Sequence, residues 1–384
     1  MEFHMFPRVI GPHTTEVDFD LYPVADSITC PILTPSLTRS LPPAVSVVRF
    51  DDNYDSDEEL EVKWFFDEIS VLPSLEVLHI SKSFLDRHEL EKVLSYNKLR
   101  ALEVENDAQD FLATGTLSKN STLLLHHFRL KTTTAVEAAK VIASMNMSAL
   151  QSIAVVYPED ELDGDDFPTA DEVVGTLCIA LETHCYGDVL TKIDIQGPAL
   201  DEYIDRINGI PDGNMLLDWK PITSTILQPL YTFSKLESLT IDFAGGFGID
   251  DASIRLFVQS WPMMEFIDLR MITFPDHPGP HPTLYAIKMM ARSWPRLKHL
   301  CIPFIVNRRS IYSMDYFNIR CPTMTSFSVG NSLMLDLYQD DDKERLASFL
   351  HSVFPNLQTL ENCYEHDWVP VRSKLKKLWQ ISRT

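Results

Sequence analysis

The stretch Trp294-Pro-Arg-Leu-Lys-His-Leu-Cys-Ile302 decides the fold. It places apolar residues in the order Leu-x-x-Leu-x-Ile after a proline, at Leu297, Leu300 and Ile302. The last two positions lie two residues apart, so they share one face of an extended strand, and the residues between them point to the other face. Such a strand can bury its apolar face only where similar strands stack beside it.

The same pattern recurs along most of the chain. The copies begin 24 to 46 residues apart, at Val45, Leu75, Leu99, Leu125, Leu150, Leu190, Leu236, Met264, Leu297, Met324 and Leu357. Helical spacing of apolar residues fills most of the gaps, at Asp86–Tyr96, Thr134–Met145, Asp171–His184, Asp250–Ser260, Thr283–Ser293 and Lys343–Val353. Several of these segments begin at Asp or Thr, which are favoured N-caps, and several end before a proline, where the helix must stop.

The period and the alternation predict an α/β fold, a right-handed solenoid of about eleven leucine-rich-type repeats. We expect a curved molecule with a parallel sheet on the concave side and helices outside. Residues 1–40 are predicted to be an N-terminal cap segment, 41–367 the solenoid, and 368–384 a basic C-terminal cap. A helix is predicted at Ile222–Phe233. An ordinary α/β protein, which also alternates strands and amphipathic helices, is the alternative interpretation.

Composition restricts the possible partners. The formal net charge is −22, and nucleic acid and anionic membranes both select clustered Lys and Arg, so we expect no nucleic acid and no membrane as partners. We find no run of 18 apolar residues and no secretory signal at the start. The six cysteines are scattered without paired spacing, which indicates free thiols in a reducing compartment. We therefore expect a cytoplasmic or nuclear protein.

Four motifs are candidate sites for metals or cofactors. The acidic stretch Glu159–Asp166 places Gly164 at the sixth position of a calcium loop but Ala170 where the twelfth-position Glu belongs. His277 and His281 supply two ligands where zinc needs three or four. Gly245–Gly248 matches neither phosphate-binding pattern, and Cys178 with Cys185 resembles core cysteines. We therefore predict no metal, no cofactor and no catalytic residue; a metal-dependent enzyme that uses the acidic loops is the alternative.

Several segments resemble the F-box/leucine-rich-repeat proteins of mushroom-forming (basidiomycete) fungi. The resemblance covers roughly Ile32–Leu360 and is carried by Trp261-Pro262, Trp294-Pro295, Cys321-Pro322 and Pro221–Ile241. It implies a repeat region that holds a substrate and an N-terminal F-box that joins a cullin-type ubiquitin ligase. An F-box is not evident, because Leu41-Pro42-Pro43 leads into Ala44 and a strand pattern. A truncated family member without a selected function is a further alternative.

The strand residues that flank the buried positions form the predicted binding face. These flanking positions carry nearly balanced charge, with Arg49, Arg129, Lys131, Lys192 and Arg270 against Asp51, Glu103, Glu105, Asp194, Asp242, Asp268 and Glu361. Three neighbouring positions carry aromatic and cationic residues, Phe266, Arg270 and His299. Such residues are enriched at binding hot spots. With Asp242 and Asp268 they make our candidate partner-binding residues, and ordinary solvent-facing residues are the alternative. The predicted function is that of a non-catalytic protein-binding scaffold. We expect a protein partner, and a cullin-ligase adaptor is a further candidate partner.

Overall fold

The computed structural model of the chain describes residues 13–21, 41–52, 66, 69–81, 87–96, 98–105, 125–132, 134–145, 147–157, 169–197, 220–243, 246–270, 280–313, 319–329, 332–337, 339–361 and 365–382. The chain divides into two compact units. The first comprises Met1–Glu161 with Thr183–Tyr186, and the second comprises Leu162–Glu182 with Gly187–Thr384.

The first unit contains six parallel strands that pair in chain order. They are β1 (Glu16–Leu21), β2 (Val47–Asp52), β3 (Val77–Ser81), β4 (Ala101–Glu105), β5 (His127–Lys131) and β6 (Ser152–Val156). Among the described residues, two helices accompany them, α1 (Arg87–Val93) and α2 (Ala135–Ser144). The register aligns equivalent positions of successive repeats, as at Leu78, Leu102 and Phe128, which are all buried. Stacking of equivalent apolar residues therefore builds a continuous core.

The second unit repeats this arrangement with longer helices. Its main sheet runs in the order β7 (Lys192–Gln196), β9 (Ser238–Asp242), β11 (Phe266–Arg270), β12 (His299–Cys301), β14 (Ser326–Ser328) and β16 (Thr359–Glu361), all parallel. Two small parallel pairs lie outside it, β8 (Ile222–Thr223) with β10 (Phe247–Gly248), and β13 (Ile305–Asn307) with β15 (Leu333–Leu335). The helices of the described residues are α3 (Ala170–His184), α4 (Asp251–Ser260), α5 (Leu284–Ser293), α6 (Arg308–Ser313), α7 (Asp340–Val353) and α8 (Glu365–Ser382), and a 3-10 helix spans Gln228–Thr232.

The predicted fold class is confirmed as an α/β leucine-rich-repeat solenoid. Each of the eleven sequence copies forms a strand of a parallel sheet, and the strands follow one another in chain order. The structure adds β1, which lies within residues 1–40 and pairs in register with β2. None of the described helices combines the length and the apolar character needed to cross a membrane.

The X-Pro helix ends found in the sequence have one common geometry. Trp261, Trp294 and Phe354 are C-caps with φ between −112° and −121° and ψ between 66° and 79°, outside the helical region. A following proline disfavours the helical region for the residue before it, so the chain turns there towards the next strand. The side chains of all three residues are fully buried. The dipeptide therefore both ends a helix and fills the core.

The helix predicted at Ile222–Phe233 was wrong. Ile222 and Thr223 form β8, a turn follows, and the 3-10 helix begins with Pro229 in its first turn. β-branched residues favour extended backbone, and Ile222 finds a strand partner in Phe247, so pairing replaces the first helical turn. The acidic stretch Glu159–Asp166, His277 and most of Asp51–Glu61 lie outside the described residues.

The basic C-terminal segment forms most of α8. Trp368, Val371 and Leu375 are buried on one face of this helix, which packs against α7. The indole Nε1–H of Trp368 donates to the Ser332 carbonyl at 3.2 Å, and Nζ of Lys374 donates to the Asp340 carbonyl at 3.1 Å. The apolar face and these two bonds hold the helix against the last repeat.

The Asp250→Ala substitution should lower the free energy of unfolding by about 1 kcal/mol. The Asp250 carboxylate accepts the Ser253 backbone N–H at 2.7 Å, and the Ser253 hydroxyl contacts the Asp250 backbone N–H at 3.3 Å, so the pair forms a capping box for α4. Asp250→Asn keeps an acceptor at the same place and should cost only a few tenths of a kcal/mol. Urea denaturation followed by circular dichroism measures both; equal losses would show that capping does not stabilise α4.

Candidate partner-binding surface

Five residues from three adjacent strands meet on the solvent-facing side of the second unit's sheet. The register places Phe266 beside His299 and Arg270 beside Asp242, and Asp268 lies on β11 between Phe266 and Arg270. We call Asp242, Phe266, Asp268, Arg270 and His299 the Asp268 cluster. These are the five residues that the sequence singled out, and the parallel register brings them together.

The Asp268 carboxylate is the unusual feature of this cluster. It occupies a strand position that faces away from the helices, yet the residue is only 1% exposed. Nε of Arg270 lies 3.2 Å from each Asp268 carboxylate oxygen, and Nη2 lies 3.1 Å from Oδ2. Nη1 of the same guanidinium lies 3.4 Å from Asp242 Oδ2. One arginine therefore joins two carboxylates on neighbouring strands, while 61% of its own side chain remains exposed.

Two stacked aromatic rings belong to the cluster, and one of them, His299, lies beside the carboxylate. The rings of Phe266 and His299 stack with centroids 4.2 Å apart and an interplanar angle of 13°. Nε2 of His299 is buried and lies 3.6 Å from Asp268 Oδ2. This spacing makes the imidazole an ion-pair partner of Asp268 whenever it is protonated. The cluster thus combines two stacked aromatic rings with a guanidinium that contacts two carboxylates.

The environment moves the pKa values of the two carboxyls in opposite directions. Burial raises the pKa of Asp268, but the nearby His299 imidazole and the charge and hydrogen bonds of Arg270 outweigh it, so the pKa lies below its usual value. Burial raises the pKa of Asp242, and the nearby charges of Asp268 and Asp194 raise it further, whereas Arg270 only partly offsets them. Negative charge therefore concentrates on Asp268, at the centre of the cluster.

The equivalent surface of the first unit consists of exposed ion pairs. Arg49 contacts Glu16 and lies 3.1 Å from Asp18, and Glu103 lies 2.8 Å from His79 Nδ1 and 3.1 Å from Arg129 Nε. The hydrogen bond from His79 is the main reason that the pKa of Glu103 is lowered. The side chains of Arg49 and Arg129 are about half exposed, and such pairs each contribute little stability because water screens them. No carboxylate described on this surface is buried as Asp268 is.

The other sequence candidates are dispersed. Cys178 and Cys185 are buried, and burial raises the pKa of both thiols, that of Cys185 to about 12, as expected of core cysteines. His281 is buried, and burial lowers its pKa. Within the described ranges, no three His, Cys, Asp or Glu side chains are placed to hold a metal ion.

The sequence analysis missed a second buried carboxylate. Asp342 in the first turn of α7 is fully buried and accepts the Tyr312 hydroxyl at 3.0 Å, and Nε of Arg308 lies 3.4 Å away. The guanidinium carbon of Arg345 lies 4.3 Å from the centre of the Tyr312 ring. In the sequence, Asp340–Asp342 is an acidic run at the start of a helix. Such a run is ordinarily interpreted as solvent-exposed, with its charge interacting favourably with the helix dipole. Only the packing of α6 against α7 distinguishes Asp342 from its neighbours.

Comparison with known proteins gives a fold neighbour. No protein-family model matches the chain, and no curated protein matches it. Among solved structures, the chain is similar to one described as a complex of TLR13 with ssRNA13, with 15% sequence identity and a TM-score of 0.40. The match covers 84% of this chain, which spans about 36% of the length of that neighbour.

Proposed function

We propose that the chain is a non-catalytic protein-binding scaffold whose partner docks on the Asp268 cluster. The observation that carries this proposal is the burial of a carboxylate on the open side of a sheet. Burying a charge is unfavourable unless it is paired, and here the Arg270 guanidinium, 3.1 Å from the carboxylate, supplies that pairing. A surface whose side chains are already fixed loses less conformational entropy on binding.

The chemistry of the cluster matches a protein partner. Aromatic residues and arginine are enriched at interface hot spots, where they combine apolar area with directed hydrogen bonds. Arg270 keeps most of its side chain exposed, and the Phe266 ring is held against the His299 ring. The net charge of −22 favours protein over nucleic acid, whose phosphates select basic surfaces.

A finer proposal concerns the biological setting. The resemblance to F-box/leucine-rich-repeat proteins of basidiomycete fungi supports a substrate receptor of a cullin-type ubiquitin ligase, in which these repeats hold the substrate and an adaptor is a second partner. The scattered cysteines support a cytoplasmic or nuclear location. The absence of a convergent polar constellation in the sequence supports a binding role over the alternative of a metal-dependent enzyme.

Affinity purification of the tagged full chain from its native cell extract, with mass spectrometry, tests the function. We expect one reproducible protein partner, and we expect Phe266→Ala combined with Arg270→Ala to reduce its recovery at least tenfold, since hot-spot truncations cost about 2 kcal/mol or more. Phe266→Ala alone, which keeps the guanidinium beside Asp268, should weaken recovery less. Circular dichroism verifies that each variant is folded.

The matched control is Tyr285→Ala combined with Arg129→Ala. Tyr285 is 50% exposed on α5, and Arg129 is a similarly exposed arginine on the first unit's sheet, so the control removes the same residue classes elsewhere. If the control variant lost as much partner recovery as the test variant, the partner would not bind at the Asp268 cluster. Recovery of cullin and its adaptor supports the receptor proposal; a single partner without them supports a plain scaffold, and enrichment of nucleic acid alone would contradict both.

A further inference from the structure

A groove of about 700 Å³ lies at the C-terminal end of the second unit, and none of its lining residues belongs to the Asp268 cluster. Its walls are the end of α7, the segment before β14, the segment before β16, and Trp379 on α8. Ligand sites for small molecules typically measure about 300–1,000 Å³. The volume therefore suits a small organic molecule or the end of a peptide.

The lining of this groove contrasts with the charge of the protein. Of the described residues, ten line it, and none is Asp or Glu, although the chain carries 55 acidic residues. Arg320 reaches the groove, is exposed, and forms no ion pair with a described residue. An unpaired guanidinium presents planar N–H donors whose geometry matches a carboxylate.

Further donors and apolar surface surround this arginine. Nδ1 of His351 is buried in the wall of α7 and has no hydrogen-bond partner among the described residues. Gln358, which is exposed, also lines the groove. Trp379 is partly exposed and supplies an aromatic surface beside these polar residues. Long-range repulsion of an anion by the net charge is weak, since salt screens charges beyond about 8 Å at physiological ionic strength.

We propose that this groove binds a carboxylate attached to an aromatic group. The carboxylate pairs with the Arg320 guanidinium, with Gln358 as an additional polar contact, and the aromatic part rests against Trp379. Two sources share this chemistry, a free aromatic carboxylate and a peptide that ends in an aromatic residue with a free C-terminal carboxylate. The site is independent of the proposed partner surface.

Isothermal titration of the full chain tests the site with 2-naphthoate and with the peptide Gly-Gly-Phe. We expect saturable binding of at least one of them, and at least tenfold weaker binding by Arg320→Ala, because a hydrogen bond to a charged group contributes about a factor of ten or more. Arg255→Ala on α4 makes the same charge change at another exposed arginine and should leave the affinity unchanged. Binding of naphthoate identifies a free carboxylate as the source, and binding of the peptide alone identifies a C-terminus.

Neutral analogues test whether the groove recognises the carboxylate charge. 2-Naphthamide and the amidated peptide keep the shape and lose the charge, so we expect binding at least tenfold weaker than that of the acids. Equal affinity for acid and amide would overturn the assignment of a carboxylate site. The proposal as a whole would be overturned if neither acid showed saturable binding, or if Arg320→Ala and Arg255→Ala had equal effects on the affinity. This test does not depend on the result of the affinity purification.

Discussion

Replacing Trp261 with alanine is expected to lower the free energy of unfolding of the second unit by about 3–5 kcal/mol, the usual cost of removing a buried tryptophan. The side chain is fully buried. Its ring stacks on Phe257 at 4.8 Å and meets the Tyr231 ring edge-on at 5.8 Å, and Nε1–H donates to the Leu230 carbonyl at 3.0 Å. The substitution leaves a cavity and removes one of two hydrogen bonds that the Leu230 carbonyl accepts, the other coming from the Phe233 backbone N–H.

Two further variants separate these causes. Trp261→Phe retains an aromatic ring but removes the donor to Leu230, so it should cost about 1–2 kcal/mol. Leu256→Ala lies on the same helix, α4, with the side chain 44% exposed, and should cost less than about 0.5 kcal/mol. Urea denaturation followed by circular dichroism measures all three. A Trp261→Ala value near that of Leu256→Ala would contradict the packing described for this repeat.

Arg270→Leu is expected to reverse the effect of pH on the contribution of Asp268 to stability. In the native protein the folded pKa of Asp268 lies below its unfolded value, so its ionised form adds stability above the ordinary carboxyl pKa, and this stability is lost as pH falls through the folded pKa. Without the guanidinium, burial dominates and raises the folded pKa. The buried charge then destabilises the fold at neutral pH, and the penalty disappears on acidification.

We expect Arg270→Leu to cost about 2 kcal/mol at pH 7. Removing one partner of a fully buried ion pair costs about 3–5 kcal/mol, but the Arg270 side chain is 61% exposed, so solvent screening reduces the figure. The difference from the native protein should narrow as the pH is lowered from 7 and Asp268 of the variant gains a proton. Urea denaturation at several pH values measures this difference.

Two comparisons make this test specific. Arg129→Leu changes the same residue type on the first unit's sheet, where its partner Glu103 is 36% exposed, and should cost less than about 1 kcal/mol. Adding Asp268→Asn to Arg270→Leu removes the buried charge and should recover much of the loss at pH 7. If the double variant is no more stable than Arg270→Leu, the Asp268 charge is not the source of the cost.

The repeat pattern predicted the strands because each copy carries its own local information. A residue such as Ile267 or Leu300 lies two positions from its partner on the same strand face, and the proline after Trp261 or Trp294 ends the preceding helix without distant contacts. The helix predicted at Ile222–Phe233 failed where a long-range partner competed, since Ile222 pairs with Phe247.

The candidate residues were found from the sequence, but their environment was not. Strand alternation identified Phe266, Asp268 and Arg270 as solvent-facing, and an aspartate at such a position is ordinarily exposed. Its burial depends on β9 and β12, which bring Asp242 and His299 to its sides through the register. The same holds for Asp342, whose neighbours come from α6, about 30 residues away in sequence.

The sequence by itself determined the α/β repeat fold, the strand positions and the helix ends, because these follow from periodicity and backbone restrictions within a few residues. Only the tertiary structure decided which charges are buried, that β1 extends the sheet, and where a groove without carboxylates lies. The physical reason is that burial and electrostatic pairing are properties of several strands and helices together. Their residues lie tens of positions apart, and no local pattern encodes their contact.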